Sequence, residues 1–271
     1  MTLTTEETEG LIAHTIDAWD RCAPTYATGF ESLTRGATTA LLDLAGVGRG
    51  TAVLDIGTGP GTLIGPALER GATVAGIDLA PAMVATARRR HPGVTVDVGD
   101  ATSMTHPDAS FDAVTIGFCL HHTADAPAVL RETKRVLRPG GRIAYTVWAA
   151  NDRLEAFGIA FAAVAELVPE QAPGQQAPAM GEAPADHERL LSDNGFVQPT
   201  ARTLDLTWAL TDGAAILDGF SRFLALGDQP QAVQRRLRNR LDAEIARRAG
   251  PDHIAHIPNP AIIASARTTL N

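Results

Sequence analysis

The chain has 271 residues, 45% of them hydrophobic, and a formal net charge of −8 at pH 7. A chain of this size can bury a full core, so we expect a single α/β domain, 1–271, with insertions. The acidic balance disfavours nucleic acid as a partner and favours small neutral or cationic ligands. The two cysteines, Cys22 and Cys119, follow no metal-ligand spacing, and neither a disulfide nor a metal site is predicted.

The N-terminal sequence MTLTTEETEG is acidic and lacks the basic-then-apolar layout of a signal peptide. No apolar run reaches the ~18 residues that a membrane helix requires. We therefore expect a soluble, cytoplasmic protein with no membrane partner, whose oligomeric state the sequence leaves open.

Residues 1–45 are predicted to form a helical cover, because helical periodicity runs through 11–45. The core is predicted over 46–150, where short apolar runs alternate with stretches long enough for helices. This alternation is typical of βαβ units in a parallel sheet. The runs are 51–57, 73–78, 94–98, 111–118 and 142–149.

The remaining sequence is less regular, and the segments 151–196 and 211–250 are predicted to be insertions that cover a substrate. Residues 171–186 are rich in Pro, Gly, Gln and Ala, which predicts either a closing lid or a passive linker. Two late strands, at 201–210 and 261–268, are expected to join the sheet. Helices are predicted at 152–167, before Asn194-Gly195, at about 212–226 and at 229–249.

The stretch VLDIGTGPG (53–61) lies between the first strand and a helix, where parallel sheets bind ligands. Gly57 and Gly59 indicate a close approach of the backbone to a ligand, or else a tight turn with no ligand. Thr62 stands where a nicotinamide-type GxGxxG fingerprint has its third glycine. Asp55, expected at the mouth of this loop, would oppose a pyrophosphate but favour a cation.

Two further acids follow the next two strands. Asp78 comes about 20 residues after the glycines, where an acid can accept hydrogen bonds from a ribose; the alternative is a helix cap before Pro81. Asp100 could accept from an exocyclic amine, or could simply belong to a turn. Leu79 and Met83 offer apolar surface to a flat ring. Acids at three successive strand ends indicate a cationic nucleoside.

These features resemble those of class I S-adenosylmethionine-dependent methyltransferases, in particular the bacterial small-molecule branch of ubiquinone/menaquinone-type and natural-product enzymes. The resemblance implies a Rossmann-like α/β fold with a seven-stranded sheet of order 3-2-1-4-5-7-6, the last strand antiparallel, flanked by helices and a helical lid. The matching segments are WDRCAPTY (19–26), VLDIGTGPG (53–61), GID (76–78), GDATSM (99–104), SFDAVTIGFCLHH (110–122), LRPGGRIAYTVW (137–148), GF (195–196) and IIASAR (262–267).

The resemblance also implies the cofactor S-adenosylmethionine, with S-adenosylhomocysteine as product, and methyl transfer to O, N or C of a small molecule, as in secondary metabolism. The backbone of Gly57 and Gly59 would approach its methionine part, and Asp55 would orient the amino group. Asp78 would hold the ribose. Tyr26 would close over the carboxylate, unless its ring is ordinary aromatic packing.

For the nucleoside, the resemblance implies that Leu79 and Met83 flank the adenine and that Asp100 and Ala101 read its edge. The pair Gly117-Phe118, at the end of the fourth strand, would line the sulfonium.

His121 and His122 follow that strand directly and are candidate general bases, His122 first. An imidazole is suited to this role at neutral pH, and an acceptor that keeps its proton needs such a base. A structural role for both histidines is the alternative.

Five aromatic residues could form an apolar wall for the acceptor or could pack in the core: Phe157, Phe161, Trp208, Phe220 and Phe223. The helix 229–249 carries six arginines, which we interpret as a solvated face rather than a nucleic-acid surface. Two rival functions differ in class. One is a nicotinamide-dependent oxidoreductase, which Thr62 and Asp55 disfavour; the other is a cyclase or scaffold that binds the cofactor without transferring methyl.

Overall fold

The structure, a computed structural model, describes residues 5–171, 183–221, 224 and 226–270. A seven-stranded sheet runs through its centre in the order β3-β2-β1-β4-β5-β9-β6. The strands of the molecule are β1 (Ala52–Ile56), β2 (Thr73–Asp78), β3 (Thr95–Val98), β4 (Phe111–Gly117), β5 (Leu137–Trp148), β6 (Val197–Leu204), β7 (Thr207–Leu210), β8 (Ala255–Pro258) and β9 (Ala261–Arg267).

This strand order confirms the predicted topology. The first five strands of the chain pair in parallel, whereas β9 pairs antiparallel with both β5 and β6. With β9 counted as the seventh strand of the sheet, the order is 3-2-1-4-5-7-6. Residues 261–266 are all buried, which is typical of a strand that has a neighbour on each side and helices on both faces.

Helices cover both faces of the sheet. They are α1 (Thr5–Cys22), α2 (Glu31–Thr34), α3 (Thr38–Leu44), α4 (Ile64–Glu69), α5 (Pro81–Arg90), α6 (Ala126–Val136), α7 (Glu155–Leu167), α8 (Pro184–Asp193), α9 (Ala214–Ser221) and α10 (Gln231–Arg248). Pro81 occupies the first turn of α5, and the side chain of Asp125 caps α6 by accepting a hydrogen bond from the Ala128 amide (2.8 Å). None of the helices in the described ranges is long and apolar enough to cross a membrane.

The prediction of one strand over 201–210 was wrong. The chain leaves the central sheet after β6, and β7 pairs antiparallel with β8 in a separate two-stranded sheet. Leu206, which lies between β6 and β7 in the chain, is buried, and its carbonyl accepts a hydrogen bond from the Asn259 amide (2.8 Å). Alternating apolar residues predict an extended chain, but they do not say which strand it pairs with.

The two-stranded sheet packs with α7, α9 and α10 to form a cap beside the central sheet, with a hydrophobic core of its own. Phe30 and Leu33, which follow α1 in the cover, are part of that core. Of the predicted lid or linker, 171–186, residues 172–182 lie outside the residues that the structure describes. Phe223 lies outside them as well.

Candidate functional site

A cavity of about 370 Å³ lies at the carboxyl ends of β1 to β4, beneath α1. Because neighbouring parallel strands end at the same edge of a sheet, residues far apart in sequence meet there. Most of the predicted site residues line this cavity. They are Tyr26, Gly57, Gly59, Asp78, Leu79, Met83, Asp100, Ala101, Gly117, Phe118 and His122.

A smaller pocket of about 40 Å³, here named the inner pocket, shares Tyr26, Gly57, Gly59, Gly117 and Phe118 with the cavity. Its other lining residues come from the cover, from β1 and the glycine loop that follows it, and from β5. They are Thr34, Ala37, Thr38, Leu41, Asp55, Thr58, Pro60, Thr62, Leu63 and Thr146.

The glycine loop needs its glycines for two different reasons. Gly57 and Gly59 both have positive φ values, +65° and +54°, which side chains rarely adopt. A Cβ at Gly57 would also collide with the side chain of Cys119, whereas a Cβ at Gly59 would meet no atom within 4 Å. Gly57 thus packs against the protein, and Gly59 keeps open space in front of the loop.

Asp55 lies in the wall of the inner pocket rather than at the mouth of the loop, and it is only 2% exposed. One carboxylate oxygen accepts a hydrogen bond from Thr115 Oγ1 and the other from Thr58 Oγ1, both at 2.7 Å. Burial raises the pKa of Asp55 to about 6, although both hydroxyls act in the opposite direction. A cation in the inner pocket would favour the ionised form.

The carboxylate of Asp78 accepts hydrogen bonds from two backbone amides. Its Oδ1 accepts a hydrogen bond from the Ala80 amide (2.9 Å) just before α5, and its Oδ2 accepts from the Gly59 amide (2.7 Å). The carboxylate therefore holds the glycine loop and also faces the cavity. Asp100, at the end of β3, accepts a hydrogen bond from the Thr102 amide (2.8 Å).

Phe118 has a φ of +52°, an unfavourable conformation for a residue with a side chain. Its amide donates to the Thr146 carbonyl (3.0 Å), and its ring lies 4.2 Å from that of Trp148, measured between centroids. Strained backbone of this kind concentrates at functional sites. The bend ends β4 and lets Gly117 line the cavity.

The roof of the cavity contains residues for which the sequence predicted no role: Ile12, Thr15 and Trp19 of α1. The ring of Trp19 meets His122 edge-on, with centroids 5.0 Å apart, and lies 6.3 Å from Tyr26. The spacing 12, 15, 19 puts all three residues on one helix face, which is the signal that could have identified them.

The two candidate bases are in different environments. His122 lines the cavity, and desolvation by the surrounding protein lowers its pKa to about 4, so the ring is neutral at pH 7. His121 does not line the cavity. Its ring nitrogens are buried and have no hydrogen-bond partner in the described part of the chain, and burial followed by the neighbouring His122 and His187 lowers its pKa well below the usual range.

The predicted acceptor wall is not part of the cavity lining. Phe157, Phe161 and Phe220 pack against one another with ring centroids 5.0 to 6.1 Å apart, and Trp208 is fully buried. These rings belong to the cap core together with Phe30, which lies 5.0 Å from Phe220. Of the two alternatives for these residues, the structure supports packing.

The arginines of α10 are largely paired with acids. Arg238 lies 2.7 Å from Asp242, and Arg240 lies 3.0 Å from Glu166. The buried Glu244 pairs with three arginines of this helix: Arg240, Arg247 and Arg248. Most of the positive charge is therefore neutralised within the protein, in agreement with the interpretation as an ordinary helix surface.

The charges of the cavity suit a cationic nucleoside. Asp78, Asp100 and Asp125 line it, and no lysine or arginine does so among the residues that the structure describes. The buried Met83 and the neighbouring Leu79 supply apolar surface for a flat ring. The described ranges contain no cluster of three or more His, Cys, Asp or Glu side chains arranged to hold a metal ion.

The chain is similar to known methyltransferases. Residues 54–145, which run from β1 to β5, match the family model described as methyltransferase domain. A demethylmenaquinone methyltransferase from Beutenbergia cavernae is 43% identical over 115 residues, 42% of this chain and 47% of the relative. Nocamycin O-methyltransferase from Saccharothrix syringae is 42% identical over 137 residues, 47% of this chain and 49% of the relative.

The chain therefore spans about half the length of the curated relatives that it matches. Among solved structures, 1,6-didemethyltoxoflavin-N1-methyltransferase from Burkholderia thailandensis superposes with a TM-score of 0.57 at 18% identity, over 99% of this chain and 92% of that one. This likeness extends the shared fold to the cap. The family match and the strand order identify residues 54–145 as the core of a class I S-adenosylmethionine-dependent methyltransferase domain.

Proposed function

We propose that this protein transfers a methyl group from S-adenosylmethionine to an O, N or C nucleophile of a small molecule. The observation that carries the proposal is the cavity at the strand ends, where acids but no basic residues of the described chain meet an open glycine loop. When bound, the cofactor supplies a methyl group on a positively charged sulfur, which is already activated as a leaving group.

Residues of the cavity would bind the nucleoside, and those of the inner pocket would bind the methionine part. Both Asp78 and Asp100 line the cavity, where Asp78 would accept hydrogen bonds from the ribose and Asp100 would bind the edge of the adenine. Asp55 would attract the ammonium group from the wall of the inner pocket. Because the leaving group needs no activation, the protein would act chiefly by aligning donor and acceptor, which can lower a barrier by about 7–11 kcal/mol in favourable systems.

His122 is the residue best placed to take a proton from an acceptor. It lines the cavity near Gly117 and Phe118, and its lowered pKa keeps it unprotonated at neutral pH. The acceptors named for the curated relatives, a menaquinone precursor and nocamycin, are small molecules; we propose the same class here, in secondary metabolism. A cytoplasmic location and the action of the cap as a substrate cover remain predictions.

The test is mass spectrometry of reactions with S-adenosylmethionine and a panel of phenolic, quinol and amine acceptors. A product heavier by one methylene unit, formed together with S-adenosylhomocysteine, supports the proposal. A product of unchanged mass, formed only in the presence of the protein, would instead support the cyclase or scaffold function. Omission of the protein is the matched control.

A further inference from the structure

The inner pocket lies between the cover and the glycine loop, and Gly117, Phe118 and Thr146 complete its lining. Tyr26, Thr34 and Thr38 come from the cover, whereas Gly59 and Thr62 come from the glycine loop. With only about 40 Å³ between them, a shift of the cover by an ångström or two would change the pocket's shape. Some interaction has to keep the two parts at a constant distance.

The side chain of Glu31, the first residue of α2, lies at this junction and is only 4% exposed. It binds Arg90, at the end of α5, through two hydrogen bonds of 2.8 and 3.0 Å. It also accepts a hydrogen bond from Arg35 (2.9 Å) and one from the Thr62 hydroxyl (3.1 Å). One buried carboxylate thus joins the cover, the glycine loop and α5.

Both sides of this junction continue into the pocket walls. The Glu31 amide donates to the carbonyl of Tyr26 (3.0 Å), whose ring lines the pocket. On the other side, His91 hydrogen-bonds the Gly61 carbonyl (2.9 Å), so that the end of α5 holds the far end of the glycine loop. Glu31 therefore joins two segments that each continue into a wall of the pocket.

We propose that Glu31 is a positioning residue for the amino-acid end of the cofactor, which sets the width of the inner pocket by linking the cover to the glycine loop. This inference rests on the proposed function. Glu31 does not line either cavity among the described residues, so it acts through Tyr26 and Thr62 rather than by contact with the ligand. Burial disfavours the charged form of the Glu31 carboxylate, and the two hydrogen bonds from the Arg90 guanidinium compensate for this.

Two ligands separate positioning from a merely structural role. S-adenosylhomocysteine has both a nucleoside and an amino-acid part, whereas 5′-methylthioadenosine has the nucleoside alone. For Glu31→Gln, which keeps the shape and removes the charge, we expect about tenfold weaker binding of S-adenosylhomocysteine. Binding of 5′-methylthioadenosine, measured in the same way by calorimetry at 25 °C, should stay within twofold of wild type.

The matched control is Asp43→Asn. It breaks another ion pair between the cover and the core, Asp43–Arg70 (2.7 Å), in which the acid is exposed and neither residue lines the inner pocket. We expect this variant to bind both ligands as wild type does. If Glu31→Gln does not fold, Arg90→Lys can be used, which keeps the positive charge but removes the pair of guanidinium hydrogen bonds. It should weaken the binding of S-adenosylhomocysteine selectively, though less strongly than Glu31→Gln.

Equal weakening of both ligands, or a lower melting temperature with unchanged affinities, would overturn the positioning role. Failure of the proposed function looks different, because the wild-type protein would then either bind neither ligand or bind them without forming a methylated product. Selective loss of S-adenosylhomocysteine in Glu31→Gln, with Asp43→Asn unaffected, supports the inference.

Discussion

The sequence predicted two sets of binding residues, and the structure places one set around the cofactor cavity and the other in the core of the cap. The acids and glycines predicted for a ligand line the cavity or the adjoining inner pocket, whereas the aromatic residues predicted for an acceptor are packed against one another. The difference lies in what defines each set. A residue at the end of a parallel strand has its position set by the sheet, but an aromatic residue on a helix is equally suited to a core or a pocket.

Truncation of a ring in the cap should have the largest effect, and on stability alone. Phe220→Ala removes a ring that is 4% exposed and lies 5.0 Å from both Phe30 and Phe157, so we expect the free energy of unfolding to fall by about 3–5 kcal/mol. Affinity for S-adenosylhomocysteine should stay within about twofold, since the ring does not line the cavity. Thermal and chemical unfolding together with calorimetry measure both quantities.

The control for Phe220→Ala is Leu68→Ala, a truncation at a position 40% exposed, which should change stability by no more than about 0.5 kcal/mol. If Phe220→Ala left stability unchanged but impaired turnover, the ring would belong to an acceptor wall after all. The contrast between cap and cavity would then fail.

Removal of an acid from the cavity should have the reverse effect, on binding. Asp78→Ala is expected to weaken the binding of S-adenosylhomocysteine about a hundredfold, because it removes the charged group that we propose to accept ribose hydrogen bonds. A ligand at 100 times its wild-type Kd stabilises the protein by about 2.7 kcal/mol, and after a hundredfold loss by only about 0.4 kcal/mol. The melting shift on addition of ligand measures this change.

Asp97→Ala serves as the matched control for Asp78→Ala. Asp97 is an acid of the neighbouring strand β3, is half exposed and does not line the cavity. Its loss should leave the melting shift intact. An unchanged shift in Asp78→Ala would remove this residue from the ribose site.

Substitution of His122 tests the chemistry within the cavity. If His122 is the base, His122→Ala should lower turnover about a hundredfold, with little effect on S-adenosylhomocysteine affinity. Since its pKa is lowered to about 4, the base is unprotonated throughout pH 5–8, and the wild-type rate should show no step near pH 6.5 that depends on this residue. His121→Ala should change turnover by less than threefold. Turnover of His122→Ala within threefold of wild type would refute the base assignment.

The smallest expected effect concerns Asp55, whose negative charge should lower the stability of the ligand-free protein but favour binding of the cofactor. The pKa of Asp55 is raised from 3.8 to about 6 by burial, so the protein loses stability as pH rises through that range and the carboxyl ionises. Asp55→Asn removes this titration. The pKa shift corresponds to about 3 kcal/mol, but the Nδ2 of asparagine cannot accept the hydrogen bond that one threonine hydroxyl donates to Asp55. The ligand-free variant should therefore be more stable than wild type by about 1–2 kcal/mol at pH 7.5, but not at pH 4.

Asp55→Asn should at the same time bind S-adenosylmethionine more weakly, since the inner pocket loses its negative charge. Melting curves at the two pH values and calorimetry check both parts. Equal stability of variant and wild type at both pH values would show that burial of the ionised carboxyl has no net cost.

Much of the core could be predicted because its signals are local. The runs from 51 to 149 and Pro81 reproduce β1 to β5 and the start of α5, and the glycines are required by positive φ values. The separation of β7 from the sheet could not be predicted, because pairing depends on where β8 lies, about fifty residues further along the chain. Glu31 was missed for the same reason, since its partner Arg90 follows 59 residues later.

The sequence by itself determined the alternation of strands and helices in the core and the chemistry at three strand ends: backbone without side chains at Gly57 and Gly59, and acids at positions 55, 78 and 100. These features follow from periodicity and from the geometry of parallel strands. The order of the strands followed only from the family resemblance. Only the tertiary structure decided that Asp55 is buried, that α1 brings Trp19 over the cavity, and that the cap aromatics pack together. Burial and long-range pairing depend on how segments far apart in the chain meet.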